Sequence, residues 1–242
     1  HVDDGLLCAS NQSLINEIIG EFSRHFEVKS IPSKNYLGFQ YRRIRSERKI
    51  VVNMGDYIEK KLKQFEMTDA KPVGSPMEPK VNLYDEADLD VNYPYRQAVG
   101  SLLYLAVKTR PDISFAVSTL SRFVSKPTVI HVEAVKRVFR YLAGTIGLSI
   151  TFGGMEDLCA FGYSDADFGG DLTGRYSTTG YLVHLNGPVC WSSKLQTCVA
   201  ESTCEAEYVA ASQCSRDIRF LVNLLKTIEL HIANLPIQLF CD

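Results

Sequence analysis

No run of apolar residues among these 242 reaches the length of a membrane-spanning helix, which sets aside an integral membrane protein of the helical kind. The first residues lack the basic-then-apolar layout of a secretory signal, so a secretory route finds no support. Paired cysteines are missing as well. The seven cysteines are an odd count, with no CxxC pair and no Cys/His cluster at zinc-ligand spacing. A disulfide scaffold and a zinc finger are therefore set aside. Reduced thiols in a cytosolic or nuclear setting are expected, packed as small apolar side chains. Tryptophan occurs once, as Trp191 in "VCWSSK", and reads as a core residue rather than a platform for a nucleic-acid base. His131 and His184 have no evident partners and read as structural or exposed. With 45% hydrophobic and 22% charged residues, the composition is that of a globular chain, long enough for one large domain or two small ones.

A large surplus of either sign is also absent, the net charge being −2, but the balance is uneven along the chain. From Arg96 to Arg140, eight basic residues face two acidic ones, a net of +6. From Thr151 onward, five basic residues face eleven acidic ones, a net of −6. That split suits a polyanion-holding segment joined to a carboxylate-rich one, or simply two solvated surfaces.

Periodicity divides the chain further. In "LINEIIGEFSRHF", Leu14, Ile15, Ile18, Ile19, Phe22 and Phe26 follow helical spacing, with Asn11 or Ser13 placed to cap the start. "NYLGFQYRRI" and "RKIVVN" read as strands about a charged turn at 45–48, and "GDYIEKKLKQFEM" as a short helix with a basic face. The stretch 71–94 holds four prolines and a run of acids, which marks an irregular connector. Three helical segments follow, the last carrying the apolar stripe Val132, Val135, Val138, Phe139 and Leu142, with Lys136, Arg137 and Arg140 off that stripe. After Gly147 the period changes to two. "LCAFGYSDAD", "TGYLVHL", "PVCWSSK" and "QTCVAES" read as strands, then a helix from about Cys204 to Thr227, then the strand "PIQLFCD". The fold class expected is α+β, with a mixed sheet covered by helix.

The long helix tests whether the acids of this half are gathered. Its apolar stripe, Ala211, Cys214, Ile218, Leu221 and Leu225, extends back to Glu207, which lies within about 40° of every member, whereas Glu205 lies about 160° away. Glu207 is therefore expected to face the sheet, where an unpaired carboxylate is costly. A cation shared with acids at neighbouring strand ends, Asp165 and Asp242, would compensate it, and an all-oxygen set of this kind suits Mg²⁺. The bland alternative makes Asp165, Asp167 and Asp171 loop acids and pairs Glu207 with an arginine. Strand parity does not separate Asp165 from Asp167.

Several motifs now resemble one known family. "YSDADFGGD", "RYSTTGYLVHLNGPVCWSSKLQ", "STCEAEYVAASQC" and "PIQLFCD" resemble the ribonuclease H domain of copia-type long-terminal-repeat retrotransposon Pol polyproteins. "YRQAVGSLLYLAVKTRPDISFAVSTLSRF" resembles the segment before it, "HVDDGLLCAS" the Tyr-Val-Asp-Asp motif of reverse transcriptase, and "NYLGFQY" that family's primer-contacting hairpin. The likeness covers essentially the whole chain, with the motifs in the family's order.

The resemblance implies a reverse transcriptase end over 1–80 (palm hairpin and thumb-like segment), a helical connection over 81–150 and a C-terminally truncated ribonuclease H-like domain over 151–242, the whole being truncated at both ends. It implies that Asp3 and Asp4 are two of three polymerase metal ligands, and that Asp165, Glu207 and Asp242 are ribonuclease H acids holding two Mg²⁺ or Mn²⁺ ions. Leu37, Gly38 and Phe39 would lie at the primer-contacting turn, and Lys136, Arg137 and Arg140 would track the duplex. The implied partners are an RNA–DNA hybrid, a template-primer and the remainder of the polyprotein, with no membrane, and the implied setting is a cytoplasmic virus-like particle and the nucleus. His1 stands where the family carries Tyr, and Glu201 and Cys204 depart from its usual residues. With no initiator methionine and an end at Asp242, both termini read as cuts in a longer polyprotein. Polymerase activity is not expected of this span alone. The alternative is a catalytically inactive nucleic-acid-binding relic or domesticated domain; a purely structural module is a third possibility.

Overall fold

The computed structural model describes residues 5–29, 35–79, 81–84, 92–154, 157–232 and 235–241. Asp3, Asp4 and Asp242 lie outside the described residues. Over the described residues the fold is mixed α/β with two four-stranded sheets, consistent with the α+β class expected.

Helix α1, Gln12–Ser23, starts where Asn11 accepts the Leu14 N–H at 2.9 Å; of the two expected caps, Asn11 serves. None of its residues is buried. Strands β1 (Asn35–Tyr36) and β2 (Phe39–Ile44) form a tight hairpin through Leu37 and Gly38, whose φ values are +50° and +83°. Two successive left-handed residues give the turn the twist that antiparallel strands require. Strand β3 (Lys49–Asn53) pairs with β2, and Gln40 accepts the Asp56 N–H at the start of α2 (Gly55–Gln64).

Helices α3 (Tyr95–Lys108), α4 (Ser114–Ser121) and α5 (Val129–Gly144) then pack with α2 around the main core. Leu102, Leu105, Val117, Leu120, Phe139 and Leu142 are all fully buried there. At about 1.5–3 kcal/mol for each such side chain, this core supplies most of the burial that stabilises the chain. One member of the basic stretch is buried with it. Arg110 donates to Asp112 through Nε and Nη2, and to the carbonyl and hydroxyl of Thr145 through Nη1 and Nη2. Arg110 thus ties the end of α3 to the end of α5, and is withdrawn from any polyanion.

Strand β4 (Ile150–Gly153) returns to pair with β3 and completes the first sheet. The second sheet has the order β7-β6-β5-β8, from β5 (Ala160–Asp167), β6 (Thr178–Leu185), β7 (Pro188–Leu195) and β8 (Gln238–Phe240). The first three are antiparallel, and β8 lies parallel to β5 after the crossover helix α6 (Thr203–Thr227). The strand expected at "QTCVAES" is not formed. Residues 196–202 are irregular and lead into Ser202, whose side chain accepts the Glu205 N–H and caps α6.

The buried stripe of α6 is Ala206, Ala210, Cys214, Leu221 and Leu225, turned slightly from the expected one so that Ala210 replaces Ala211. Its smaller core packs Val183, Cys214, Leu221 and Leu225 against Ile218, Leu239 and neighbouring residues. All seven cysteines are free, as expected, although only Cys214 is buried.

Candidate functional site

Strand β5 alternates strictly. Ala160, Gly162 and Ser164 are buried toward α6, while Tyr163, Asp165 and Asp167 are exposed. A side chain at Gly162 would press on Cys214, Ile218 and Leu239, so its absence lets the helix approach. That approach brings Glu207 to the strand. Its Oε1 accepts the N–H of Ala166 at 3.0 Å, the amide that joins Asp165 to Ala166. Its Oε2 is buried with no hydrogen-bond partner. Glu205, by contrast, turns outward and accepts the Glu201 N–H at 2.7 Å. The inward phase expected of Glu207 and the outward phase expected of Glu205 both hold. The expected alternative, an arginine partner for Glu207, is not what meets it.

Asp165 opens on a shallow concavity shared with Tyr163, Gly180, Tyr181, Phe240 and Cys241, where β5 and β8 run side by side. Asp167 takes another course. Its carboxylate occupies the space a side chain would fill at Gly170, closing the turn after β5. The two acids that strand parity left equivalent are thus separated by their surroundings.

A buried carboxylate oxygen without a donor, at the peptide that follows Asp165, suits a hard divalent cation. Asp165 and Glu207 fit such an ion in donor type. Among the described residues, no three His, Cys, Asp or Glu side chains gather as a metal-binding group.

Asp171 is the acid that the sequence left as a loop residue, and it has a definite task. It accepts bonds from the Tyr84 hydroxyl (2.8 Å), the Thr173 hydroxyl (2.9 Å), the Gly174 N–H (2.7 Å) and Arg122 Nη1 (3.1 Å). Burial opposes its charge, but the Gly174 N–H, the two hydroxyls and Arg122 outweigh burial and hold its carboxyl below the usual range. Trp191 is half-buried and donates its indole N–H to the Ala106 carbonyl at 2.7 Å. It is a strut between β7 and α3, where the sequence suggested a plain core residue.

The basic residues of α5 are engaged by the connector. Arg137 pairs with Glu78 and donates to Ser75, Arg140 Nε donates to the Lys71 carbonyl at 2.8 Å, and Lys136 lies 5.5 Å from the Tyr93 ring centre. The Gly38 turn has aromatic and cationic surroundings. Tyr104 donates its hydroxyl to the Leu37 carbonyl at 3.3 Å, and its ring lies 5.2 Å from that of Tyr57. Lys108 sits over Phe39 at 5.7 Å and Lys61 over Tyr57 at 5.2 Å. This cluster joins β2, α2 and α3, and no single stretch of sequence signals it.

The chain is 40% identical over 252 residues to the retrovirus-related Pol polyprotein from transposon TNT 1-94 of Nicotiana tabacum. It is 38% identical over 246 residues to that from transposon RE1 of Arabidopsis thaliana. These alignments take in 100% of the chain but 19% and 16% of the two polyproteins. An uncharacterized mitochondrial protein of Arabidopsis thaliana is 33% identical over 224 residues, 90% of the chain and 91% of that protein. No family model and no solved structure matches the chain. The chain is similar along its whole length to retrovirus-related Pol polyproteins from transposons, and it spans less than a fifth of the length of the Pol polyproteins it matches.

Proposed function

We propose that this chain is the part of a copia-type Pol polyprotein that joins the end of a reverse transcriptase to a ribonuclease H-like unit, and that Asp165 and Glu207 belong to a site cleaving the RNA strand of an RNA–DNA hybrid. The observation that carries this reading is the bond from the Ala166 N–H to Glu207 Oε1, with Oε2 buried and unpartnered beside it. Glu207 of α6 is held at the peptide that follows Asp165 on β5, with acceptor capacity to spare on its second oxygen. Asp165 and Glu207, with Asp242 as the proposed third acid, would hold Mg²⁺ or Mn²⁺. Such ions, when bound, stabilise charge on a phosphodiester and lower the pKa of water.

The Leu37–Gly38 turn with Tyr57, Tyr104, Lys61 and Lys108 offers aromatic faces and positive charge to a template-primer. Lys136 and Arg140 add positive charge along α5, and Arg137 would join them where a phosphate displaces Glu78. Asp3 and Asp4 are proposed as two polymerase acids, completed by residues elsewhere in the polyprotein. The proposed setting is a cytoplasmic virus-like particle and the nucleus. Among the described residues, no helix is long and apolar enough to cross a membrane.

A labelled RNA–DNA hybrid incubated with Mg²⁺ or Mn²⁺ tests the site. Cleavage by the chain should be lost in Glu207→Gln and in Asp165→Asn, each still folded by circular dichroism. Cleavage that survives both substitutions removes the proposal. A second reading, binding without chemistry by a relic or domesticated domain, draws on the mitochondrial relative, of which the chain covers 91%. It is favoured if the hybrid is bound, with steep salt dependence, and never cut.

A further inference from the structure

We infer that Gln196 is the positioning residue of the acid pair, the side chain that sets the start of α6 against the sheet so that Glu207 meets β5. The inference rests on the reading of Asp165 and Glu207 given above. The first two turns of α6 face the sheet with Ala206 and Ala210, both fully buried. Such small side chains allow close approach but do little to fix how far the helix rolls. A polar tether does so here. Gln196 follows β7 directly, is 3% exposed, and is anchored by its own N–H to the Ser177 carbonyl at 2.8 Å. Its Nε2 donates to the Thr179 hydroxyl on β6 at 3.0 Å and to the Ala206 carbonyl on α6 at 3.0 Å.

These contacts close a ring. Ala166 is the cross-strand partner of Thr179, Thr179 bonds Gln196, and Gln196 bonds Ala206. The next residue, Glu207, bonds the N–H of Ala166. One amide nitrogen therefore spans sheet and helix at the level where the carboxylate must arrive. Gln196 Oε1 is buried without a partner, so the side chain is desolvated for the two bonds its nitrogen makes. An apolar residue of similar length would fill the space at less cost but hold nothing in register.

The test compares the full chain with Gln196→Met and Thr179→Val, reading amide exchange by NMR and the broadening of amide signals by added Mn²⁺. If Gln196 positions Glu207, the Ala166 amide in Gln196→Met exchanges about tenfold faster, the scale of one lost buried hydrogen bond. Its Mn²⁺ broadening weakens in parallel, while Val183 and Leu221 amides keep their rates. Thr179→Val removes one acceptor of the ring and should shift Ala166 in the same direction, and it serves alone if Gln196→Met does not fold. An unchanged Ala166 rate, or a uniform acceleration of all amides, overturns the inference. A wild-type chain with a protected Ala166 amide but no Mn²⁺ broadening there removes the cation site instead, and exchange alone then judges Gln196.

Discussion

His131 is 3% exposed at the start of α5, where its Nδ1 accepts the Thr128 N–H at 2.9 Å and its Nε2–H donates to the Leu83 carbonyl at 2.8 Å. Its ring stacks on Phe123 at 4.0 Å. The residue left without a partner at the sequence level is thus a helix cap that also holds the connector. Burial pushes its pKa down from 6.5, and the Leu83 bond offsets only part of that. The unfolded chain therefore takes up the proton first as pH falls. The His131 contribution is whole above 6.5 and is lost as pH drops from there toward the lower folded value. His184 is pushed down by burial too and acts with the same sign. The denaturation midpoint should fall from about pH 7.5 to about pH 5.5, and His131→Asn should start lower but fall less. Denaturant titrations at both pH values measure this, and equal slopes for the two proteins would refute it. Arg110, 1% exposed, supplies a second residue-scale prediction. Arg110→Met should cost about 3–5 kcal/mol in urea unfolding, because Asp112 is left without the cation that meets it.

At the scale of elements, the β1–β2 hairpin is built at a cost. Leu37 is 55% exposed and sits at a φ of +50°, a region that leucine disfavours and asparagine tolerates. Leu37→Asn should therefore raise stability by about 0.5–1 kcal/mol, read as a higher thermal midpoint, and a lower midpoint would mean the leucine contributes more by contact than it loses in backbone strain. The elements most legible in the sequence were those with a clean period. Helices α3 to α5 follow a period of 3.6 and strand β5 a period of 2, because one face of each meets a core. Glu207 was legible for the same reason, its angle being set by Cys214, Leu221 and Leu225 further along α6. Residues 196–202 misled, since the strand-favouring run Thr197, Cys198 and Val199 imitates a strand while Gln196 turns to tether α6. The Ala210–Ala211 slip has a related cause: small residues carry little phase information. Tyr84, Arg122 and Asp171 could not be joined from sequence, because nothing local in "NLYD", "LSRF" or "GGDL" relates them.

On the scale of the whole molecule, the question is how the small core beneath α6 is kept in place beside the large one. Among the described residues, four buried side chains form the core under α6 and twenty-one form the helical core, so the acid-bearing unit draws its stability partly from its neighbour. Polar contacts that cross between them include the bonds of Asp171 to Tyr84 and Arg122, and that of Trp191 to the Ala106 carbonyl. They lie on different strands and loops, so each can report on the other. The folded Asp171 carboxyl titrates below the unfolded value of 3.8, so its contribution is present above 3.8 and is lost as pH falls through the folded value. Asp171→Asn keeps the shape, and with it an acceptor for the Gly174 N–H, but removes the charge facing Arg122. A charge-assisted bond of this kind contributes about 1.5–3 kcal/mol. If the two contacts form one joint, the loss should appear at the other end. Trp191 is the chain's single tryptophan, so its indole signal is unambiguous. Its N–H should exchange about tenfold faster in Asp171→Asn, with amides inside the helical core unchanged. An indole rate equal to wild type would show that the contacts act independently, and that the carboxylate orders only its own loop. A faster rate would mean that the acid-bearing sheet is held by a cooperative joint with the helices, and that loosening it at Asp171 also reaches Asp165 and Glu207 on the same sheet and its helix.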